Sequence, residues 1–494
     1  MKFNSTRNNL SSVDAAYAIV NGLSEDGGLF VPQSVPKITA DKLELWKNAS
    51  YCEIAYEILK DYLTDFSENE LKSCIEKAYK SFDTEEVVPL HKLDETTSVM
   101  ELWHGPTCAF KDVALQILPH LLTVSAKKTG IDKTIVILVA TSGDTGKAAL
   151  VGFSDVPGTK IQVFFPNNGV SEIQKLQMVT QEGDNVCSCA ANGNFDDVQS
   201  NVKRIFTDEN FNNTLSDKGY MLSSANSINW GRLVPQIVYY VNAYCNLLRN
   251  NQIKAGEEIN FVVPTGNFGN ILAGYFAKAA GVPIKKLICA SNENNVLTDF
   301  IRTGVYDKNR KFSLTISPSM DILISSNLER LLYILSNRND SEIAGYMKEL
   351  SQNGSYQVSD SIQKQIDDIF WAGFCDDEQT KKTIKDTFEQ YHYLIDTHTA
   401  VAKAVCDQYQ KETGDTAKTV IASTASPFKF NGSVYQALFG KPDMISEFDL
   451  LFALSDKTGV PVPKPLAELK EKEIRFEQVC EISQMKQMVE EFLK

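Results

Sequence analysis

Four apolar, β-branched runs mark the middle of the chain: TIVILVA (134–140), KIQVFFP (160–166), NFVVPT (260–265) and KLICAS (286–291). Helical patterns lie between them. This alternation, from about residue 90 to 290, predicts an α/β fold with a largely parallel sheet whose strands are buried on both faces. Upstream, helical patterns surround LSEDGGLFVPQSVP, where Asp26-Gly27-Gly28 predicts a turn into a short strand. Downstream, NLERLLYILSNRNDSEIAGYMKELSQ and DDEQTKKTIKDTFEQYHYL read as helices with no strong strand between them. A strand–loop pattern returns at TVIASTASPFKF (419–430), and the end of the chain holds the proline-rich GVPVPKPLAEL and a charged helix. The expected division is an N-terminal accessory region (1–90), a catalytic core (91–324), a helical insertion (325–393), a return to the core (394–445) and a C-terminal tail (446–494).

Composition narrows the partners. The chain has 494 residues, 43% hydrophobic and 23% charged, enough for two to four domains with ample core. Its formal net charge of -14 comes without a basic patch, which argues against nucleic acid and for a small-molecule or protein partner. An anionic substrate needs only a local cationic site. Ten scattered cysteines without a CxxC, and the polar start MKFNSTRNNLSS, predict reduced thiols in the cytoplasm. No apolar run is long enough for a membrane span, and the five histidines have no metal-ligand spacing, so neither membrane nor metal is expected.

Several motifs carry chemistry. In HGPTCAFKD (104–112), Gly105-Pro106 predicts a sharp turn, Thr107 a cap, and Lys111 the start of an apolar-rich helix bent at Pro119. A lysine there has a lowered pKa and attracts anions; it also reads as an ordinary first-turn lysine packed on Phe110. ATSGDTGKAAL (140–150) follows a buried strand and opens a helix, with Gly143 and Gly146 for tight turning and hydroxyls on Ser142 and Thr145. It suits a carboxylate or phosphate, or is an ordinary βα turn. It is not a P-loop, because Thr141 and Ala148 stand where that motif needs glycine and a hydroxyl residue. VPTGNFGNILAGYFAKAAG (263–281) repeats the strand, glycine loop and helix start without a dinucleotide fingerprint. SANSINWGRLVPQ (223–236) offers Arg232 for an anion or for a surface ion pair, and STASPFKF (423–430) is a strand end rich in hydroxyls. A reactive lysine, two anion loops and a hydroxyl loop together suit an aldehyde cofactor with a phosphate handle, pyridoxal 5'-phosphate held on Lys111.

The segment ELWHGPTCAFKDVAL (101–115) resembles the cofactor-lysine segment of threonine synthases, within the fold type II family of pyridoxal-phosphate enzymes. SEDGGLFVP, ATSGDTG, SANSINWGR, PTGNFGN, SPSMDI (317–322), DTHTAV (396–401) and STASPFKF look like that family in its chain order. The resemblance implies two three-layer α/β lobes with a helical insertion and an N-terminal accessory region. It implies that Lys111 is the Schiff-base lysine, that Gly266, Asn267, Phe268, Gly269 and Asn270 hold the cofactor phosphate, and that Thr424 faces the pyridine nitrogen. Ser142, Gly143, Asp144 and Thr145 match the loop for the substrate α-carboxylate, with Asn229 and Arg232 chosen for the substrate phosphate. Two positions depart. Relatives often carry Asp at Asn270, which bears on the charge balance of the phosphate cup, and His-Pro at Ser426-Pro427, beside the pyridine ring. The implied activity is a lyase reaction converting O-phospho-L-homoserine and water to L-threonine and phosphate by γ-elimination and β-addition, in a cytoplasmic monomer or homodimer. A dehydratase of the same family, or a ligand-binding protein that kept the fold, are the other readings.

Overall fold

The computed structural model describes residues 1–141, 143–442 and 446–494. It opens on β1 (Lys2–Ser5), β2 (Asn8–Asp14) and β3 (Phe30–Pro32), an antiparallel sheet in the order β2-β1-β3. Asp26 builds the expected turn into β3, its Oδ1 accepting from the Gly28 N–H and the Ser5 hydroxyl, each at 2.7 Å. The amphipathic helices Tyr51–Tyr62 and Glu68–Tyr79 follow, each started by a capping box, Ser50 with Glu53 and Ser67 with Glu70. This region is fastened to the rest at Trp230, a fully buried indole against the rings of Phe3, Tyr62 and Phe276.

The remaining strands are β4 (Leu90–Lys92), β5 (Thr97–Glu101), β6 (Thr134–Ala140), β7 (Thr159–Pro166), β8 (Val186–Asn192), β9 (Tyr220–Ser223), β10 (Ile259–Pro264), β11 (Ile284–Ser291), β12 (Val305–Asp307), β13 (Ser355–Gln357), β14 (Phe370–Phe374), β15 (Thr419–Ser423) and β16 (Val479–Glu481). β12 and β13 pair with each other as an antiparallel ribbon, and the other eleven build the sheets of two lobes. One has a six-stranded sheet in the order β14-β11-β10-β15-β5-β4, parallel except for β4. The other has a five-stranded, all-parallel sheet in the order β16-β8-β7-β6-β9. The four apolar runs of the sequence are β6, β7, β10 and β11, and the helix Trp230–Arg249, buried at every residue but the last, lies in the largest core cluster.

Three segments differ from expectation. The stretch 325–393 is not wholly helical: FWAGF forms β14, which pairs in parallel with β11 from Leu287↔Phe370 to Ser291↔Phe374 and closes one edge of the six-stranded sheet. An edge strand between charged helices leaves little pattern in the sequence. The tail 446–494 is likewise integral, because β16 pairs with β8, and Met485 and Val489 of the final helix enter a core cluster against that sheet. The helix after Lys111 does not bend at Pro119 but stops, and a second helix, Leu118–Lys128, starts with Pro119 in its first turn, where a missing N–H is harmless.

Lys111 follows β5, the 140–150 loop follows β6, TGNFGN follows β10 and Thr424 follows β15. These four loops therefore leave the carboxyl ends of parallel strands, where α/β folds gather ligand sites.

Candidate active site

Lys111 is the first residue of the helix Lys111–Leu115. Thr107 does not cap that helix. Its N–H and hydroxyl donate to the Asp112 carboxylate, both at 2.8 Å, and so tie the Gly105-Pro106 turn to the residue after the lysine. The Lys111 amine donates to Ser319 Oγ at 3.3 Å, lies 3.7 Å from Asp144 Oδ2 and sits 4.9 Å from the Phe110 ring centre. The Phe110 contact of an ordinary first-turn lysine is thus present, but the residue is 9% exposed. Burial lowers the amine's pKa first; Lys429 and Arg232 add to this and Asp144 opposes it. The helix has only five residues, so its dipole contributes less than the sequence suggests.

Asp144 opens the helix Asp144–Phe153, after β6, and serves two lysines. Oδ2 faces Lys111, and Oδ1 meets Lys429 Nζ at 2.9 Å and accepts from Gln174 Nε2 at 3.2 Å. Burial opposes its ionisation, but Lys429 and Lys111 outweigh it and hold the carboxyl well below the usual carboxylate range. Lys429 is itself buried and also donates to the Thr107 carbonyl (3.1 Å) and Gln177 Oε1 (2.8 Å). Before Asp144, Gly143 takes φ 145°, and a Cβ there would lie 2.4 Å from the Gln174 side chain. The loop's donors are less free than expected, because Thr141 Oγ1 accepts the N–H groups of both Gly143 and Gly146 at 3.0 Å. Thr145 is partly exposed at the helix start; Ser142 lies outside the described residues.

The TGNFGN loop is the second glycine loop at a helix start. Phe268 adopts a left-handed conformation (φ 63°) and starts the helix Gly269–Ala280, whose first-turn N–H groups have no intrahelical partner. The loop is held from behind. Ser325 Oγ donates to the Gly266 carbonyl (2.6 Å), and the Asn327 N–H and amide donate to the Asn267 carbonyl (3.1 and 3.0 Å). Arg330, fully buried, bonds Asn327 Oδ1 (2.5 Å), the Phe30 carbonyl (2.9 Å) and the Ile228 carbonyl, joining this loop to the N-terminal sheet and to SANSINW. A Cβ on Gly266 would come within 2.8 Å of the Ser319 carbonyl, so the loop and the Ser319 turn are in close contact.

Thr424 is buried, and its carbonyl accepts the Phe110 N–H at 2.8 Å, which sets it beside Lys111. The two residues chosen for a substrate phosphate separate. Asn229 is consumed internally: its amide donates to the Ile19 and Ser224 carbonyls, and its Oδ1 caps the Gly231 N–H at 2.8 Å. It is a helix cap, without a spare donor for a ligand. Arg232 is buried and donates to the Ala225 carbonyl at 3.0 Å; among the described residues it has no carboxylate partner and its Nε has no acceptor. Burial alone lowers it to about 10.

Known proteins decide the family. The profile described as threonine synthase N terminus matches residues 2–79, that of pyridoxal-phosphate dependent enzymes matches 85–425, and that of threonine synthase, C-terminal, matches 399–489. Threonine synthase of Schizosaccharomyces pombe is 37% identical over 89% of this chain and 90% of its own. The chain belongs to the threonine synthase family. A crystal structure of pyridoxal-phosphate-bound threonine synthase from Brucella melitensis superposes with a TM-score of 0.88 at 36% identity, covering 100% of this chain and 98% of that one. The human threonine synthase-like 1 protein is 38% identical over 97% of this chain, which spans 65% of its length; across four mammalian proteins of this kind the chain spans 63–66%.

Against this threonine synthase framework, the departure at Asn270 has a specific form. Its Oδ1 accepts from the Tyr239 and Tyr240 hydroxyls, both at 2.7 Å, as a carboxylate would. The amide adds a donor, Nδ2, that is buried without a partner. At the other departure, Ser426 starts the turn Pro427–Phe430 that carries Lys429. Lys429, Ser319 and His398 lie in segments that resemble the family, but local pattern assigns none of the three a role. A lysine inside the apolar PFKF was the one available signal.

His104, of the same segment as Lys111, bonds Asp83 Oδ1 (2.6 Å) and Glu101 Oε2 (2.8 Å) and stacks on Trp103. Burial opposes its charge, but the two carboxylates outweigh it and raise it to about 9. A raised histidine pKa stabilises the fold fully below the unfolded value and ceases to do so as pH rises through the folded one. Wild type should exceed His104→Gln by on the order of 2 kcal/mol below about pH 6.5. The gap should close as pH rises through 9. A gap independent of pH would mean that the ring is neutral.

Proposed function

We propose that the protein converts O-phospho-L-homoserine and water to L-threonine and phosphate, as a pyridoxal-phosphate enzyme. The observation that carries this reading is the charge of the site. Lys111 and Lys429 share one carboxylate, Asp144, and buried Arg232 has none among the described residues. The other carboxylate beside Lys111, Asp112, is spent on Thr107 and Gln116. Buried cations in excess favour anionic ligands, and a phosphorylated cofactor with a phosphorylated amino acid supplies them.

The residues fit the cofactor. Lys111 would take its aldehyde, and Gly266 to Asn270 would hold its phosphate on the helix start, with Asn270 Nδ2 as an added donor. Thr424 would face its ring nitrogen. When bound, the group withdraws electrons from the substrate α-carbon and makes its proton removable. Lys111, desolvated and so more often neutral than a surface lysine, is the base for that proton and returns it at the end. Gly143 to Thr145, with Ser142, would orient the α-carboxylate, and Arg232 would bind the substrate phosphate. The reading keeps the enzyme in the cytoplasm, as a monomer or homodimer.

The test is purified, cofactor-loaded protein given O-phospho-L-homoserine, with phosphate and threonine assayed in one sample. Equal amounts of both are expected. Phosphate without threonine would redirect the reading to an elimination with another product, and no phosphate would remove it. Arg232→Ala should raise the KM for the phosphorylated substrate about 100-fold, the loss of a charged hydrogen-bond pair, and change binding of unphosphorylated amino acids little. Equal effects on both would take Arg232 out of the phosphate site.

A further inference from the structure

One buried chain of contacts leads to Lys111 from behind and takes no part in the chemistry above. Asp396 is the cap of the helix Thr397–Thr413, fully buried, and its oxygens accept the N–H groups of His398 (2.8 Å) and Thr399 (3.3 Å). The same Oδ1 lies 2.9 Å from His398 Nδ1. On the other side of the ring, Nε2 accepts the backbone N–H of Ser319 at 3.2 Å. A nitrogen that accepts an N–H carries no proton, so the ring is the Nδ1–H tautomer with Asp396 as its acceptor. Phe430 packs edge-on against the ring, 4.7 Å between centres. Ser319, held in this way, gives its Oγ to the Lys111 amine at 3.3 Å.

We propose that His398, locked by Asp396 in one tautomer, is a positioning residue that sets Ser319 as the hydroxyl partner of Lys111. The inference rests on the reading of Lys111 as the cofactor lysine. Among the described residues, Ser319 is the one neutral side chain bonded to the amine, against the carboxylate of Asp144 at 3.7 Å. Its placement decides how the amine is oriented and how its proton is held. Nothing on Ser319's own turn, Pro318–Met320, bonds its N–H; the acceptor comes from the histidine, 79 residues further along the chain.

Two substitutions separate the bonds of the ring. His398→Gln places an amide oxygen near Nε2 and keeps an acceptor for Ser319. His398→Asn keeps a donor near Asp396 and loses that acceptor. In the cofactor-loaded enzyme, His398→Asn should lower kcat by about 10- to 100-fold with KM little changed, as for displacement of a catalytic group by a fraction of an ångström. It should also shift the pH midpoint of the absorption band that the cofactor gains through Lys111, and His398→Gln should restore most of both. Ser319→Ala, which leaves the backbone and the ring untouched, should shift the band in the same way and covers the case in which the Asn variant fails to fold. Gln and Asn variants alike in rate and band, or an unshifted band in Ser319→Ala, would overturn the proposal. Failure of the underlying reading looks different, since no such band would then form in the wild type.

Discussion

Lys111→Ala is expected to lose turnover by about 10³-fold or more, together with the absorption band the cofactor gains through that amine. The fold should lose little. The amine is buried, and its partners are weak, a hydroxyl at 3.3 Å and a carboxylate at 3.7 Å. A desolvated ammonium with such partners costs stability, which burial's leading part in its lowered pKa also expresses. Alanine removes that cost, and Asp144 keeps its closer partner Lys429 at 2.9 Å. Unfolding by urea should therefore place the variant within about 1 kcal/mol of wild type, or above it, as for residues kept for function at the expense of stability. Two measurements on one preparation decide the matter. A variant that retains activity removes Lys111 from the chemistry. An inactive variant that has also unfolded shows only that the lysine was structural.

The sequence exposed the parts of this site that lie in continuous segments. β6, β7, β10 and β11 were legible because strands buried on both faces are uninterrupted apolar runs, and the loops after β6 and β10 carry the glycines that close approach needs. β14 was not, because FWAGF is a five-residue edge strand that pairs with β11 on one side. Asp144 was read as part of a carboxylate-binding loop, yet its side chain is the counter-ion of two lysines. Lys429, His398 and Ser319 could not be assigned from local pattern. Lys429 meets partners 322 and 252 residues away, and His398 meets Ser319 across 79. A lysine in PFKF has the same local signature whether it ends in water or between two lobes. Only the folded sheets decide which.

That position makes Lys429 the subject of the second large effect. It leaves the turn after β15, in the six-stranded lobe, and its amine ends on Asp144 and Gln177, which belong to the five-stranded lobe, and on the Thr107 carbonyl. Lys429→Met keeps the stem and removes the charge. Asp144 is then a buried carboxylate left with the neutral Gln174 amide at 3.2 Å and, as its cation, Lys111 at 3.7 Å, and Gln177 and Thr107 lose their donor. Removing one partner of a buried pair costs about 3–5 kcal/mol, because the other charge stays buried. Lys429→Met should lower stability by that amount, read as a fall in the urea midpoint at unchanged slope. Asp144→Asn alone should cost less, since an amide is neutral and Lys429 keeps two acceptors. The double variant should recover on the order of 1–3 kcal/mol relative to the sum of the single changes, the size expected of residues in direct contact. Additive effects would mean that the 2.9 Å pair carries no coupling and that Lys429 acts through packing alone. The cycle also bears on catalysis. With Lys429 gone, Asp144 is free to turn fully to Lys111 and stabilise its charged form, so a folded Lys429→Met enzyme should need higher pH to reach its maximal rate.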